Sequence, residues 1–274
     1  MQTVAVTNRK GGVGKSSLTT NLAAALALEG KRVLVIDMDS QASATAVFLE
    51  ELPEGALSTA HVLVGQAELE QVIRPATREG VFIAPAARDL TAAQLSIVAR
   101  TGRETILRRA LRKLDGYDVV LIDTAPEQQL ATVNSLVAAS HVLMPFTPDP
   151  KALEGLQTTC DAVAEIRAAE LSQATIMGCV QVAHDKRLGV TDQAREQVRA
   201  AYGDALFETR IRANSSFIVC PAWHRDIFEI ERSERAPRRG SDDFRAVAIE
   251  FGQRLGWTHA SHASKDAEHA QVAS

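Results

Sequence analysis

Residues 8–17 read Asn8-Arg9-Lys10-Gly11-Gly12-Val13-Gly14-Lys15-Ser16-Ser17 and follow directly on the apolar run Val4-Ala5-Val6. A phosphate-binding loop has the general form G-x-x-x-x-G-K-[ST] between a strand and a helix. Gly14, Lys15 and Ser16 supply its ending, but its first glycine falls on Arg9, and the glycines stand at Gly11 and Gly12 with Lys10 ahead of them. Each residue type has a physical use. Glycine lets the backbone approach an anion and turn its N–H groups inward. Lys15 reaches the β- and γ-phosphates, and the Ser16 hydroxyl ligates Mg²⁺. The segment Gly11–Ser17 then opens a helix over 15–29, whose N-terminus favours anions. Lys10 is surplus to that local task. A second cation is useful where phosphoryl transfer spreads negative charge over the γ-phosphate oxygens.

Outward from the loop, apolar runs of strand length alternate with longer helical patterns, which indicates βαβ units and a parallel sheet. Strands are predicted at 3–7, 32–37, 81–84, 118–123, 141–146, 175–182 and 205–211. Helices are predicted at 15–29, 42–49, 91–99, 104–114, 129–139, 152–169, 191–202 and 242–255. The expected fold is α/β, with a mostly parallel central sheet flanked by helices on both faces, in one domain over 1–257. Residues 258–274 are small and polar and read as a disordered tail.

The chain has 274 residues, 46% of them hydrophobic and only 4% aromatic, so Ala, Val, Leu and Ile must build the core. A net charge of −4 excludes nucleic-acid binding by bulk charge and leaves only a local basic patch. Three widely spaced cysteines without C-x-x-C argue against zinc or disulfide frameworks. No run approaches the ~20 apolar residues of a membrane helix. No targeting segment precedes the first strand, and the expected location is cytoplasmic.

Two further stations carry acids. The second strand ends in Val33-Leu-Val-Ile-Asp37-Met-Asp39-Ser40-Gln41, which puts two carboxylates at a strand's C-terminal end, where open α/β sheets bind ligands. They either serve the ligand or cap the next helix. Val119-Val-Leu-Ile-Asp123-Thr-Ala-Pro126 is a buried strand delivering a carboxylate to the Mg²⁺ region.

The string Lys10-Gly-Gly-Val-Gly-Lys-Ser16 resembles the deviant Walker A box of the ParA/MinD superfamily of P-loop ATPases, and Thr7-Asn8 and Asn21-Leu22-Ala23 beside it also look like that family. The resemblance is good over residues 1–210 and poor in the last quarter. It implies ATP and Mg²⁺ as ligands, with Lys10 as a signature lysine reaching across an ATP-sandwich homodimer to the partner's phosphates. It implies that Asp39 orients the attacking water, that Asp37 lies near the metal, and that Asp123 holds Mg²⁺, with Ser40 and Ala125 standing where the family has prolines. Residues 178–187 align loosely with the strand leading to the adenine pocket, which places Arg187 or Asp185 near the base or merely on the surface.

Within that superfamily, the absence of any cysteine before Cys160 argues against an iron–sulfur electron carrier. The last helix places Phe244, Val247, Ala248, Phe251 and Leu255 on one face before a non-basic tail, which suits core packing better than a membrane anchor. The chain then looks closest to short ParA-type partition ATPases without an N-terminal helix-turn-helix domain. That implies non-specific DNA binding, nucleoid association, DNA or cargo positioning, and hydrolysis stimulated by a ParB-like or cargo-adaptor protein. Residues 210–239 hold seven arginines against four acids, and Arg210, Arg212, Arg225, Arg238 and Arg239 are the candidate DNA contacts. A MinD-like membrane-associated positioning ATPase and a nucleotide-binding regulatory module with little hydrolysis stay open as alternatives.

Overall fold

Alternating strand residues divide the core. Val33 and Val35 pack on one side of the sheet while Leu34 and Ile36 pack on the other; Val119 and Leu121 are likewise separated from Val120 and Ile122. This is the period-two consequence of a strand buried on both faces. The computed structural model describes residues 1–126, 129–184, 190–234 and 237–257. In chain order the elements are β1 (Gln2–Val6), α1 (Lys15–Leu28), β2 (Val33–Met38), α2 (Ser43–Phe48), α3 (Thr59–Val64), α4 (Leu69–Val72), β3 (Arg74–Pro75), β4 (Val81–Ala84), α5 (Leu90–Ser96), α6 (Ile106–Leu111), β5 (Val119–Thr124), α7 (Leu130–Ala138), β6 (His141–Phe146), α8 (Ala152–Ala168), β7 (Thr175–His184), α9 (Val190–Tyr202), β8 (Leu206–Arg212), α10 (Ser216–Val219), α11 (Ile227–Ser233) and α12 (Arg239–Arg254).

The strands form one sheet in the order β3-β4-β2-β5-β1-β6-β7-β8. All pairings are parallel except the short edge pair β3–β4. The predicted α/β fold is therefore present, with each of the seven expected strands found to within a few residues. The chain leaves β1 toward β2 on one side and, after β5, crosses β1 to β6 on the other. That reversal opens a crevice at the C-terminal ends of β1 and β5. Residues of α1, α2, α11 and α12 cover one face, and those of α3, α5 and α6 cover the other beside β2 and β5. Residues of α8 and α9 continue that second layer over β6 and β7.

Periodicity did not reveal β3, α3, α4, α10 or α11, which span two to seven residues each. Elements that short do not complete a period. The face of α12 bearing Phe244, Val247, Ala248 and Phe251 is buried in the core, as the pattern implied. One glycine is dictated by close approach: a Cβ on Gly178 in β7 would stand 2.3 Å from the Ala205 carbonyl oxygen, where the register of β6 and β7 shifts. The expected tail over 258–274 lies outside the described residues.

Candidate nucleotide site

The loop between β1 and α1 is held from below. Thr7 N–H donates to the Leu143 carbonyl (3.0 Å), and the Asn8 amide donates to the Pro145 carbonyl (2.8 Å). Asn8 Oδ1 accepts from Lys10 N–H at 2.9 Å, fixing the turn into the glycines. Gly14 has φ 75°, left-handed backbone that glycine adopts without strain, and it caps α1 with no side-chain bond to the first turn. The first N–H groups of α1 are thus presented to an incoming anion rather than consumed by a cap. Val13 is buried, while Gly11 and Gly12 are exposed on the rim.

Lys15 is buried, and its ammonium donates to the Lys10 carbonyl at 3.3 Å. Burial lowers its pKa, against the opposing pull of Asp123 and Asp39. An anion placed there would supply the charge this ammonium lacks. The register aligns Val6, Asp37 and Asp123 on adjacent strands, which brings both acids beside the loop. Asp123 Oδ1 accepts from the Thr19 hydroxyl at 3.2 Å, and its buried Oδ2 has no partner among the described residues; the nearby Ser16 hydroxyl favours its charged form. Burial and the neighbouring Asp37 push the Asp123 carboxyl well above the usual range. A buried carboxylate oxygen without a partner beside a hydroxyl is a fit for a divalent cation. No group of three or more His, Cys, Asp or Glu able to hold a metal occurs among the described residues, so phosphate and water would have to complete the shell.

Asp37, expected near the metal, lies beside Asp123 and is hydrogen-bonded within its own loop. Its Oδ1 accepts from Asp39 N–H (3.0 Å), and its Oδ2 accepts from the backbone and hydroxyl of Thr45 (2.9 and 2.8 Å). Through those bonds Asp37 anchors the loop carrying Asp39 beside Asp123. Burial again pushes its pKa up, against those hydrogen bonds. Asp39 in turn accepts from Gln41 N–H (3.0 Å), its carbonyl accepts from Ala42 N–H (2.9 Å), and Ala42 is left-handed at φ 54°. These bonds shape the turn at Ser40 without a proline.

Two adjoining cavities flank the loop and share Gly12, Gly14, Ser17, Phe217 and Ile218. The first, about 460 Å³, is polar in its residues: Lys15, Ser16, Asp39 and Gln41 line it. The second, about 350 Å³, is lined by Leu18, Val182, Ile211, Phe217 and Phe244. The pair suits a triphosphate joined to a flat apolar ring. A larger cavity of about 740 Å³ lies behind the Asp39 loop, between Glu50, Arg88 and His224, and no residue of the phosphate loop lines it. Arg187 and Asp185, expected near the base, lie outside the described residues. Phe217 and Ile218 of α10 were missed. The apolar triplet Phe217-Ile-Val219 after Asn214-Ser-Ser was their only signal.

Lys10 does not line either cavity. Its ammonium pairs with Asp149 Oδ2 on the loop between β6 and α8. The candidate DNA arginines divide. Arg212 is locked to Asp243 (2.6 Å) and to the Arg239 carbonyl, and Arg210 pairs with Asp192 at 2.7 Å. Arg212 spends its Nε and Nη2 donors inside the fold. Arg225, Arg238 and Arg239 are exposed, and Arg232 and Arg245 share a groove with Arg238.

A strand–loop–helix cradle with an inward lysine, a serine and two strand-end acids at a sheet reversal defines a P-loop nucleotide site. A family model described as an AAA domain matches residues 1–176. The chain is 34% identical over 253 residues to the chromosome-partitioning ATPase Soj of Thermus thermophilus, covering 92% of this chain and 96% of that one. The structure is similar (TM-score 0.73, 28% identity, 85% and 96% covered) to a Mycobacterium smegmatis protein described as cobyrinic acid a,c-diamide synthase, solved with ADP and magnesium. It is also similar in fold to an ATP complex of Cyanothece McdA (TM-score 0.79, 18% identity, 94% and 97% covered). The chain belongs to the ParA/MinD-type P-loop ATPases. No helix among the described residues is long and apolar enough to cross a membrane.

Proposed function

We propose that the chain is a ParA-like ATPase that closes as an ATP-sandwich homodimer, binds non-specific DNA and positions DNA or a protein cargo. One observation carries the dimer: two lysines of one loop face different ways. Lys15 enters the cavity of its own chain, whereas Lys10 stands outside it, paired with Asp149, where a second nucleotide could take it up.

In this reading Gly11–Ser17 wrap the phosphates, with backbone N–H groups and the α1 N-terminus as donors. Lys15 neutralises the β- and γ-phosphates from within. Ser16 and Asp123 hold Mg²⁺, which when bound neutralises charge on the phosphate oxygens. Asp39 lines the polar cavity, fixed by the Asp37–Thr45 clasp, and orients the attacking water. Phe217 and Ile211 enclose the base. Asn21 links this site to the arginine-bearing end: its amide donates to the Ser17 carbonyl, and its Oδ1 accepts from Ile227 N–H of α11, both at 2.8 Å. DNA phosphates would then meet Arg225, Arg238 and Arg239, doubled in the dimer, in the nucleoid of the cell. A ParB-like or cargo-adaptor protein stimulates hydrolysis; the relatives named for chromosome partitioning support the positioning role.

The test is light scattering with saturating Mg-ATP. The wild type is expected at twice its monomer mass and Lys10→Ala at monomer mass; a wild type that stays monomeric contradicts the reading.

A further inference from the structure

The segment between β6 and α8 grips residue 10 twice. Asn8 is pinned to the Pro145 carbonyl and caps the Lys10 N–H. Helix α8 comes so close that a Cβ on Gly155 would stand 2.9 Å from Asn8 Oδ1 and 3.5 Å from the Lys10 Cβ. The Lys10 ammonium donates to Asp149 Oδ2, the same oxygen that accepts from the Thr147 hydroxyl at 2.6 Å, while Asp149 Oδ1 accepts from Lys151 N–H at 2.9 Å. The carboxylate is therefore held in place by its own loop at both oxygens, and Oδ2 also takes the lysine. Burial would raise its pKa, but Lys10, Thr147 and the Lys151 N–H outweigh burial and hold it below the usual carboxylate range.

We propose that Asp149 is a positioning residue, the resident counter-ion that holds Lys10 in its own subunit until the triphosphate of a second copy displaces it. The inference rests on the reading that Lys10 acts across a dimer. Both side chains are about one-third exposed, at 34% and 30%, so the pair is weak enough to exchange for a polyanion. Its consequence is a threshold. Dimer closure breaks two such pairs, one in each subunit, and so demands more nucleotide than an unpaired lysine would. A ligand that pinned Asp149 elsewhere would free Lys10, and one that tightened the 147–151 loop would retain it.

The experiment has two arms. In the first, sedimentation velocity follows dimer mass during titration with Mg-ATPγS. Asp149→Asn keeps the shape and lowers the analogue concentration for half-dimerisation by about fourfold, from about twofold for each of two exposed pairs. Asp149→Glu keeps the charge and restores a threshold near the wild type. In the second arm, the nucleotide-free monomer is treated with acetic anhydride, and acetylation of Lys10 is timed by peptide mass spectrometry. Asp149→Asn speeds acetylation of Lys10 severalfold without changing Lys151. An unchanged or raised threshold in a dimerising Asp149→Asn protein overturns the inference and leaves the dimer standing, as does an unaltered acetylation rate. A wild type that never dimerises overturns the trans reading and this latch with it. A thermal midpoint equal to the wild type shows that Asp149→Asn is folded.

Discussion

The two ends of this chain treat charge in opposite ways. Around the phosphate loop, charge is left incomplete: Lys15 is buried with a depressed pKa, Asp123 has a buried oxygen without a partner among the described residues, and α1 starts with no side-chain cap. In the last quarter, the buried charge is closed. Arg78 clamps Asp226 at 2.7 Å, Asp226 also caps α11, Glu231 accepts from Gly240, Ser241 and Asn214, and Arg254 stacks at 4.1 Å over Phe207. Unfinished electrostatics mark a place built for a ligand, while satisfied networks mark a place built to hold shape. A count of arginines cannot separate these cases.

Substitutions at each end should therefore fail differently. Lys15→Ala removes a cation aimed at developing charge, so phosphate release should fall by about 10²–10³-fold with little loss of folding stability. Unchanged turnover would end the P-loop assignment. Asp226→Ala should do the reverse. It leaves Arg78 with only the longer 3.5 Å pair to Glu229 and uncaps α11, costing about 3 kcal/mol, or roughly 6–12 °C in thermal midpoint, with the nucleotide site intact. A midpoint within a degree or so of the wild type would show that the network is decorative. The smallest effect sharpens the contrast within the arginines themselves. Arg238→Ala with Arg239→Ala removes two arginines from each subunit and should reduce the salt slope of DNA binding by about 4 per dimer, about one unit for each phosphate no longer neutralised. Arg212→Ala should leave that slope alone and lower stability instead. Equal slopes for the wild type and both variants would remove the distinction.

Legibility in the sequence follows the same division. The strands that deliver Lys15, Asp37 and Asp123 are continuous apolar runs buried on both faces, so composition and position announce them together. The helix α12 was legible because sixteen residues hold several turns of pattern. The clasp between Asp37 and Thr45 was not. Its bonds connect residues eight apart through a left-handed turn at Ala42, which no local propensity encodes. Phe217 reaches the loop glycines from about two hundred residues away, on a helix of four residues. Arg212 looked like a free cation because its partner, Asp243, is 31 residues distant. Pattern shows which face is buried; pairing across the fold has to be seen.

The central claim is that Lys10 serves the triphosphate of the other subunit. Subunit mixing tests it most directly. Lys10→Ala and Asp39→Ala proteins should each be nearly inactive alone, the first lacking the trans lysine and the second the water-orienting acid. In a mixed dimer, the Lys10→Ala subunit keeps its own Asp39 and receives Lys10 from its mate, so one site of two is complete. The mixture should release phosphate well above either protein alone, up to about a quarter of the wild-type rate, which is the limit for fully random pairing. A mixture no more active than its two components would place Lys10 in its own site and contradict the account.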